Sequence, residues 1–175
     1  MRLDLVEKRA YKLLEELKIN QLPIPVEKIA KKLGIEIHEE EFENELSGVL
    51  YRDQNQVVIG VNKLHHEKRK RFTIAHEIGH FILHKGNPIH IDKEFFVNFR
   101  DATSSQATNI EEIEANTFAA ALLMPKELVK KELANIAVDG IDPFQEETEI
   151  ISELSRKFRV SHQSLCIRLG KLGLL

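Results

Sequence analysis

Apolar residues recur at helical spacing through LDLVEKRAYKLLEEL, where Leu5, Ala10, Leu13, Leu14 and Leu17 are set among charges, so the first predicted element is an amphipathic helix. A shorter helix is predicted in LPIPVEKIAKKLGIEI: Pro25 suits a first turn, Val26, Ile29, Ala30 and Leu33 form a stripe, and Gly34 is placed to end it. Ile35 to Ile37 then start a strand, and SGVLYR and QVVIGVN, separated by DQN, read as a β-hairpin. From Leu64 to His84 the chain is apolar on most sides of a helix, through Phe72, Ile74, Ile78, Phe81, Ile82 and Leu83, and most of that helix is expected to be buried. No period is sustained from Lys85 to Asn109, which reads as a long loop or irregular segment. IEEIEANTFAAALLMP is a mostly apolar helix stopped near Pro125, and PKELVKKEL restarts one. TEIISELSRKFRV and SHQSLCIRLGKLGLL follow as two helices joined near Val160, with Ser161 as N-cap of the second. Helices around a small sheet make an α+β fold. The expected division is a main domain over 1–134 and a helical C-terminal extension over 135–175 with the shape of a helix-turn-helix.

Composition narrows the function classes. A chain of 175 residues with 42% hydrophobic side chains can bury one main core. A formal charge of -3 gives no overall basic field for nucleic acid or an anionic membrane. The lone cysteine, Cys166, cannot form an internal disulfide and reads as a small buried side chain. With no signal-peptide pattern and no apolar stretch approaching about 18 residues, a cytoplasmic protein with no membrane association is expected.

The candidate chemistry lies in RFTIAHEIGHFILHKG. His76 and His80 are four residues apart, one helical turn, so both imidazoles can point at one ion. Glu77, offset by about 100°, can reach a water at that ion and act as general base. Burying two imidazoles and a carboxylate on an apolar helix would cost several kcal/mol without partners, which argues that they are more than helix filler. Gly79 costs about 1 kcal/mol against alanine in a helix interior, and is expected to make room for a close neighbour. A third ligand is expected from IEEIEAN, where Glu112 and Asn116 share a face with Ala115 and Ala119, giving a His2Glu zinc site of the thermolysin type. Glu114 and, more weakly, Glu111 compete for that role, but rotation by about 200° separates Glu114 from Glu112, so only one of those two can face the metal together with the alanines.

These segments, with FRDATSS, the helix of LPIPVEKIAKKLGIEI and the hairpin before the histidines, resemble the ImmA/IrrE family of zinc-dependent metallopeptidases over Leu5 to Pro125. The resemblance implies a zincin-like, gluzincin-like fold with a small sheet or hairpin before the His-Glu-x-x-His helix. It implies one Zn2+ per chain, bound by His76, His80 and Glu112, with Glu77 as general base, the family's Glu-x-x-Ala-Asn being intact as EIEAN. It further implies an intracellular bacterial or phage protein whose substrate is a protein, a helix-turn-helix repressor, cleaved to derepress mobile-element or stress genes.

Other residues are read more plainly. His84 and His90 are expected at the surface, although either could supply a proton or an oxyanion contact. Tyr51 is expected to pack on the core, and KRKR, Lys68 to Arg71, to be a solvated helix start. Arg100 and Asp101 fit the family's loop pattern as an ion pair or as substrate contacts. Ser155 to Leu175 carries Arg156, Lys157, Arg159, Arg168 and Lys171 without an acid. That pattern motivates the rival function, a non-proteolytic metal-binding or DNA-associated regulator. A cluster of this size makes few phosphate contacts, and Leu165, Ile167, Leu169 and Leu172 resemble core more than groove readers, so packing or substrate docking is favoured over direct DNA binding.

Overall fold

A computed structural model describes residues 2–42, 46–84, 89–92, 106–138 and 147–175 of the chain. The first helix, α1 (Leu3–Glu16), buries Val6, Ala10, Leu13 and Leu14. Leu5, expected on that stripe, is 46% exposed. Val6 takes its place because it stands one full turn before Ala10. Helix α2 (Val26–Lys32) buries Val26, Ile29 and Ala30 as its stripe predicts, and Gly34 ends the turn after it in the left-handed region at φ 74°.

The hairpin forms as expected from β2 (Gly48–Arg52) and β3 (Val57–Asn62). Asp53 shapes the turn, its Oδ1 accepting from the backbone N–H groups of Asn55 (2.7 Å) and Gln56 (2.9 Å). Strand β1 (Ile35–Glu40) runs parallel to β3, with Ile35 opposite Val57. A further strand, β4 (Ile89–Asp92), pairs antiparallel with β2, Tyr51 opposite Ile89 and Gly48 opposite Asp92. The described sheet has the order β1-β3-β2-β4. The expected irregular segment therefore contains a strand: four residues are too few to display a period, and the pairing edge offered by β2 supplies what local sequence does not. Arg100 and Asp101 lie outside the described residues.

Helix α3 (Glu67–Leu83) packs on β2 and β3, and α4 (Gln106–Leu123) packs on both α3 and α1. Leu50 and Ile59, opposite each other in register, are fully buried in the sheet. Buried along α3 are Thr73 to His80, and also Arg71, whose Nη2 donates to the Ile24 carbonyl at 2.8 Å. The basic run is thus not simply solvated: Arg69 donates to Ser47 Oγ (2.7 Å) and Lys70 pairs with Glu39 (2.9 Å) and Glu67 (3.0 Å).

Helices α5 (Lys126–Val138), α6 (Glu147–Phe158) and α7 (His162–Leu172) complete the described chain. Ser161 caps α7 as predicted, its Oγ accepting from the Ser164 N–H at 3.1 Å. Leu154, Phe158, Leu165 and Leu169 join the same apolar core as Val6, Ala10 and Leu122. Cys166, by contrast, is exposed: it follows Leu165 directly and turns about 100° away from the inward stripe. Two of the five cations that suggested DNA binding serve carboxylates of this chain. Lys157 bonds Glu132 (3.0 Å) and Glu153 (3.2 Å), and Arg168 bonds Glu7.

Arg168 is 1% exposed and ties α7 to α1 and to the turn between α4 and α5: it donates to the Met124 carbonyl (3.1 Å), to Tyr11 Oη (2.7 Å) and to the Glu7 carboxylate. Removing Arg168 takes the cation from a Glu7 carboxylate that is 24% exposed and can be partly hydrated, so Arg168→Met is expected to cost about 1 to 3 kcal/mol in urea unfolding near neutral pH. Burial pushes the Glu7 carboxyl up, but the bond and charge of Arg168 outweigh it and hold Glu7 below the usual carboxylate range. A lowered folded value makes the contribution complete above the unfolded glutamate value of about 4.3 and lost as pH falls through the lower folded value. The stability gap between wild type and Glu7→Gln is therefore expected to be flat from pH 7 to about 5 and to close below about 4. A gap that closes in the upper range instead contradicts this assignment.

Candidate metal centre

One turn of helix separates His76 from His80, and their rings converge with Nε2 atoms 2.9 Å apart. Glu112 reaches them from α4, placing Oε2 at 3.2 Å from His76 Nε2 and Oε1 at 3.3 Å from His80 Nε2. A ligand atom from each of these residues lies within 4.8 Å of the others. Both histidines are 1% exposed, whereas the Glu112 side chain is 33% exposed, so solvent meets the cluster on the carboxylate side.

The helices meet this closely because their contact residues are small. A Cβ added to Gly79 would stand 3.2 Å from the Ala115 Cα, the Ala115 carbonyl oxygen and Phe118 Cδ1. Ala115 and Ala119 are fully buried in that seam, as their spacing with Glu112 predicts. Of the three competing acids, the structure brings Glu112 to the histidines; Glu111 is exposed, and Glu114 faces elsewhere, its Oε2 3.0 Å from His84 Nε2.

Glu77 is fully buried. The start of β2 lies over it: a Cβ on Gly48 would overlap the Thr73 side chain and stand 3.1 Å from Glu77 Oε1. Glycine at position 48 is therefore a requirement of the site that the hairpin reading did not single out.

Both δ nitrogens are held from behind. His76 Nδ1 is 3.1 Å from Asn116 Oδ1, and His80 Nδ1 is 3.1 Å from His84 Nδ1. An N–H on each Nδ1 leaves each Nε2 with a lone pair directed at the Glu112 carboxylate. Two neutral imidazole nitrogens and a carboxylate gathered at one point repel one another unless a proton or cation sits among them, and this donor set is one that zinc accepts. The residues present therefore fit a divalent metal ion.

Two expectations are corrected here. His84 is not a surface residue: it is 8% exposed, bonded on both ring nitrogens, and its backbone carbonyl accepts from Arg52 Nη1 at 2.7 Å. The available signal was the continuation of the four-residue series 76, 80, 84. Tyr51 does not pack into the core; its hydroxyl donates to Asp53 Oδ2 at 2.7 Å at the hairpin turn, which raises the phenol's pKa. For His90 the backbone is placed opposite Leu50 on β4.

No helix among the described residues is long and apolar enough to cross a membrane. The radiation response metalloprotease IrrE of Deinococcus radiodurans is 30% identical over 113 residues, which make up 64% of this chain and 30% of that protein. The aligned part is thus less than a third of the relative's length. The sequence profile described as the IrrE N-terminal-like domain matches residues 30–170, a span that holds both the histidine helix and the Glu112 helix. With most of its length matched, the chain belongs to the ImmA/IrrE family of metallopeptidases.

Proposed function

We propose that the protein is a zinc-dependent endopeptidase that holds one Zn2+ through Nε2 of His76, Nε2 of His80 and the Glu112 carboxylate, with Glu77 as general base. The observation that carries this reading is the convergence of those three side chains on one point, the two histidines coming from a helix that also carries the fully buried Glu77. When bound, the ion supplies Lewis acidity to a peptide carbonyl and to the attacking water. Glu77 takes a proton from that water as it attacks and returns it to the departing amine nitrogen, so the carboxylate is regenerated at the end of the cycle. Asn116 and His84 orient the two rings, and the partly exposed Glu112 marks the side from which substrate enters.

The substrate we propose is a helix-turn-helix transcriptional repressor, cleaved so that mobile-element or stress genes are derepressed. Family resemblance supports this, and the name of the Deinococcus radiodurans relative ties that protein to a radiation response. Selectivity would come from docking away from the metal point, for which the section from Asp142 to Leu175, described from residue 147 onward, is the candidate. The test pairs metal analysis of purified protein with co-expression of a small helix-turn-helix repressor, taken from the neighbouring gene where one exists. Stoichiometric zinc and repressor fragments are expected. Zinc with an intact repressor removes this substrate, and a folded protein that takes up no zinc removes the metal site itself.

A further inference from the structure

His84 and Glu114 are 8% and 5% exposed, and burying an imidazole and a carboxylate costs several kcal/mol unless they are well paired. Their contacts form a chain that ends on a proposed ligand: Glu114 Oε2 to His84 Nε2 at 3.0 Å, then His84 Nδ1 to His80 Nδ1 at 3.1 Å. Arg52 fixes the far end of α3 by holding the His84 carbonyl at 2.7 Å. We infer that Glu114 and His84 are positioning residues, a relay that holds His80 in the tautomer with its proton on Nδ1 and so turns the Nε2 lone pair toward the metal point. This rests on the metal reading above.

The carboxylate sets the direction of the chain. A carboxylate only accepts, so the His84 nitrogen facing it carries the proton, and in neutral His84 the other nitrogen, Nδ1, is left as an acceptor. That acceptor faces His80 Nδ1, which must then be the donor. The opposite arrangement sets a lone pair of His84 against the Glu114 oxygen and places the His80 proton on Nε2, where it blocks a metal. His76 is held differently: its Nδ1 meets the neutral Asn116 amide in a single step. The two histidines are therefore unequal, and His80 is the one whose ring is polarised by a buried anion, an outer-shell arrangement that raises ligand basicity.

The test uses the full chain with His84→Leu, His84→Asn and Glu114→Gln, each checked for folding by thermal melt. Zinc affinity is read by chelator competition, and the His80 tautomer by 15N NMR of the metal-free imidazoles. His84→Leu is expected to weaken zinc binding about 10- to 100-fold and to release His80 from the Nδ1–H form. His84→Asn offers an amide oxygen where Nδ1 stood, and is expected to restore the Nδ1–H tautomer and much of the affinity. Glu114→Gln can donate as well as accept, and is expected to give a tautomer mixture with intermediate affinity. Unchanged affinity and tautomer in folded His84→Leu overturn the relay. Should that variant not fold, metal-free wild type decides: a His80 proton on Nε2 overturns the relay, and on Nδ1, lost in Glu114→Gln, supports it. Wild type that binds no zinc defeats the metal reading, whereas the metal-free tautomer tests the relay separately.

Discussion

Glu77→Gln is expected to bind zinc like the wild type and to cleave substrate about 10² to 10⁴ times more slowly, the range a positioned general base contributes. Glutamine keeps the side chain's length and volume, which matters because Glu77 is fully buried under the Gly48 end of β2, with Oε1 at 3.1 Å from the place a Cβ there would take. A smaller residue would leave a cavity between α3 and the sheet, and lost activity would then be confounded with lost packing. The amide changes one property: it cannot accept the proton that the attacking water must give up. Zinc content measured beside single-turnover cleavage separates the roles. Equal cleavage rates in the two proteins remove Glu77 as the base, and loss of zinc from the variant makes it a contributor to metal binding instead.

What could be read from the chain, and what could not, follows the range of the interactions. That His76, Glu77 and His80 share one helix, with the two imidazoles on one face, was legible because helical geometry alone fixes their relation. Glu112 was legible because Ala115 and Ala119 mark the face of α4 that comes closest to another helix, and the opposing Gly79 marks the same seam from α3. Strand β4 was not, because Ile89–Asp92 becomes a strand by pairing with β2, about which its own four residues say nothing. Arg71 was misread as part of a solvated helix start for a related reason, and the packing favoured for the C-terminal cations could be read without its partners. Arg71 and Arg168 donate inside the protein to the Ile24 and Met124 carbonyls, 47 and 44 residues away in sequence. His84 belongs with them, since its burial depends on Glu114, 30 residues later. Gly48 needed knowledge of what would lie beneath it.

The other large effect expected is on the metal. His80→Ala removes an imidazole that is 1% exposed and lies 3.3 Å from Glu112 at the metal point. Zinc affinity should fall more than about 100-fold, beyond what loss of an outer-shell partner produces. Glu112→Gln is the sharper experiment, because the amide keeps the shape and removes only the charge. A neutral amide oxygen is a poor ligand for zinc beside two imidazoles, so affinity should again fall more than about 100-fold. Glu111→Gln, on the exposed side of the helix, should have no effect. Glu114→Gln should weaken zinc binding by less than Glu112→Gln, since its influence passes through His84 and His80 rather than through a bond to the ion. Chelator competition on the four folded variants gives the order directly. If Glu114→Gln is the more damaging of the two acids, the carboxylate on the metal is Glu114, and α4 must rotate from the position that places Glu112 3.2 and 3.3 Å from the two Nε2 atoms.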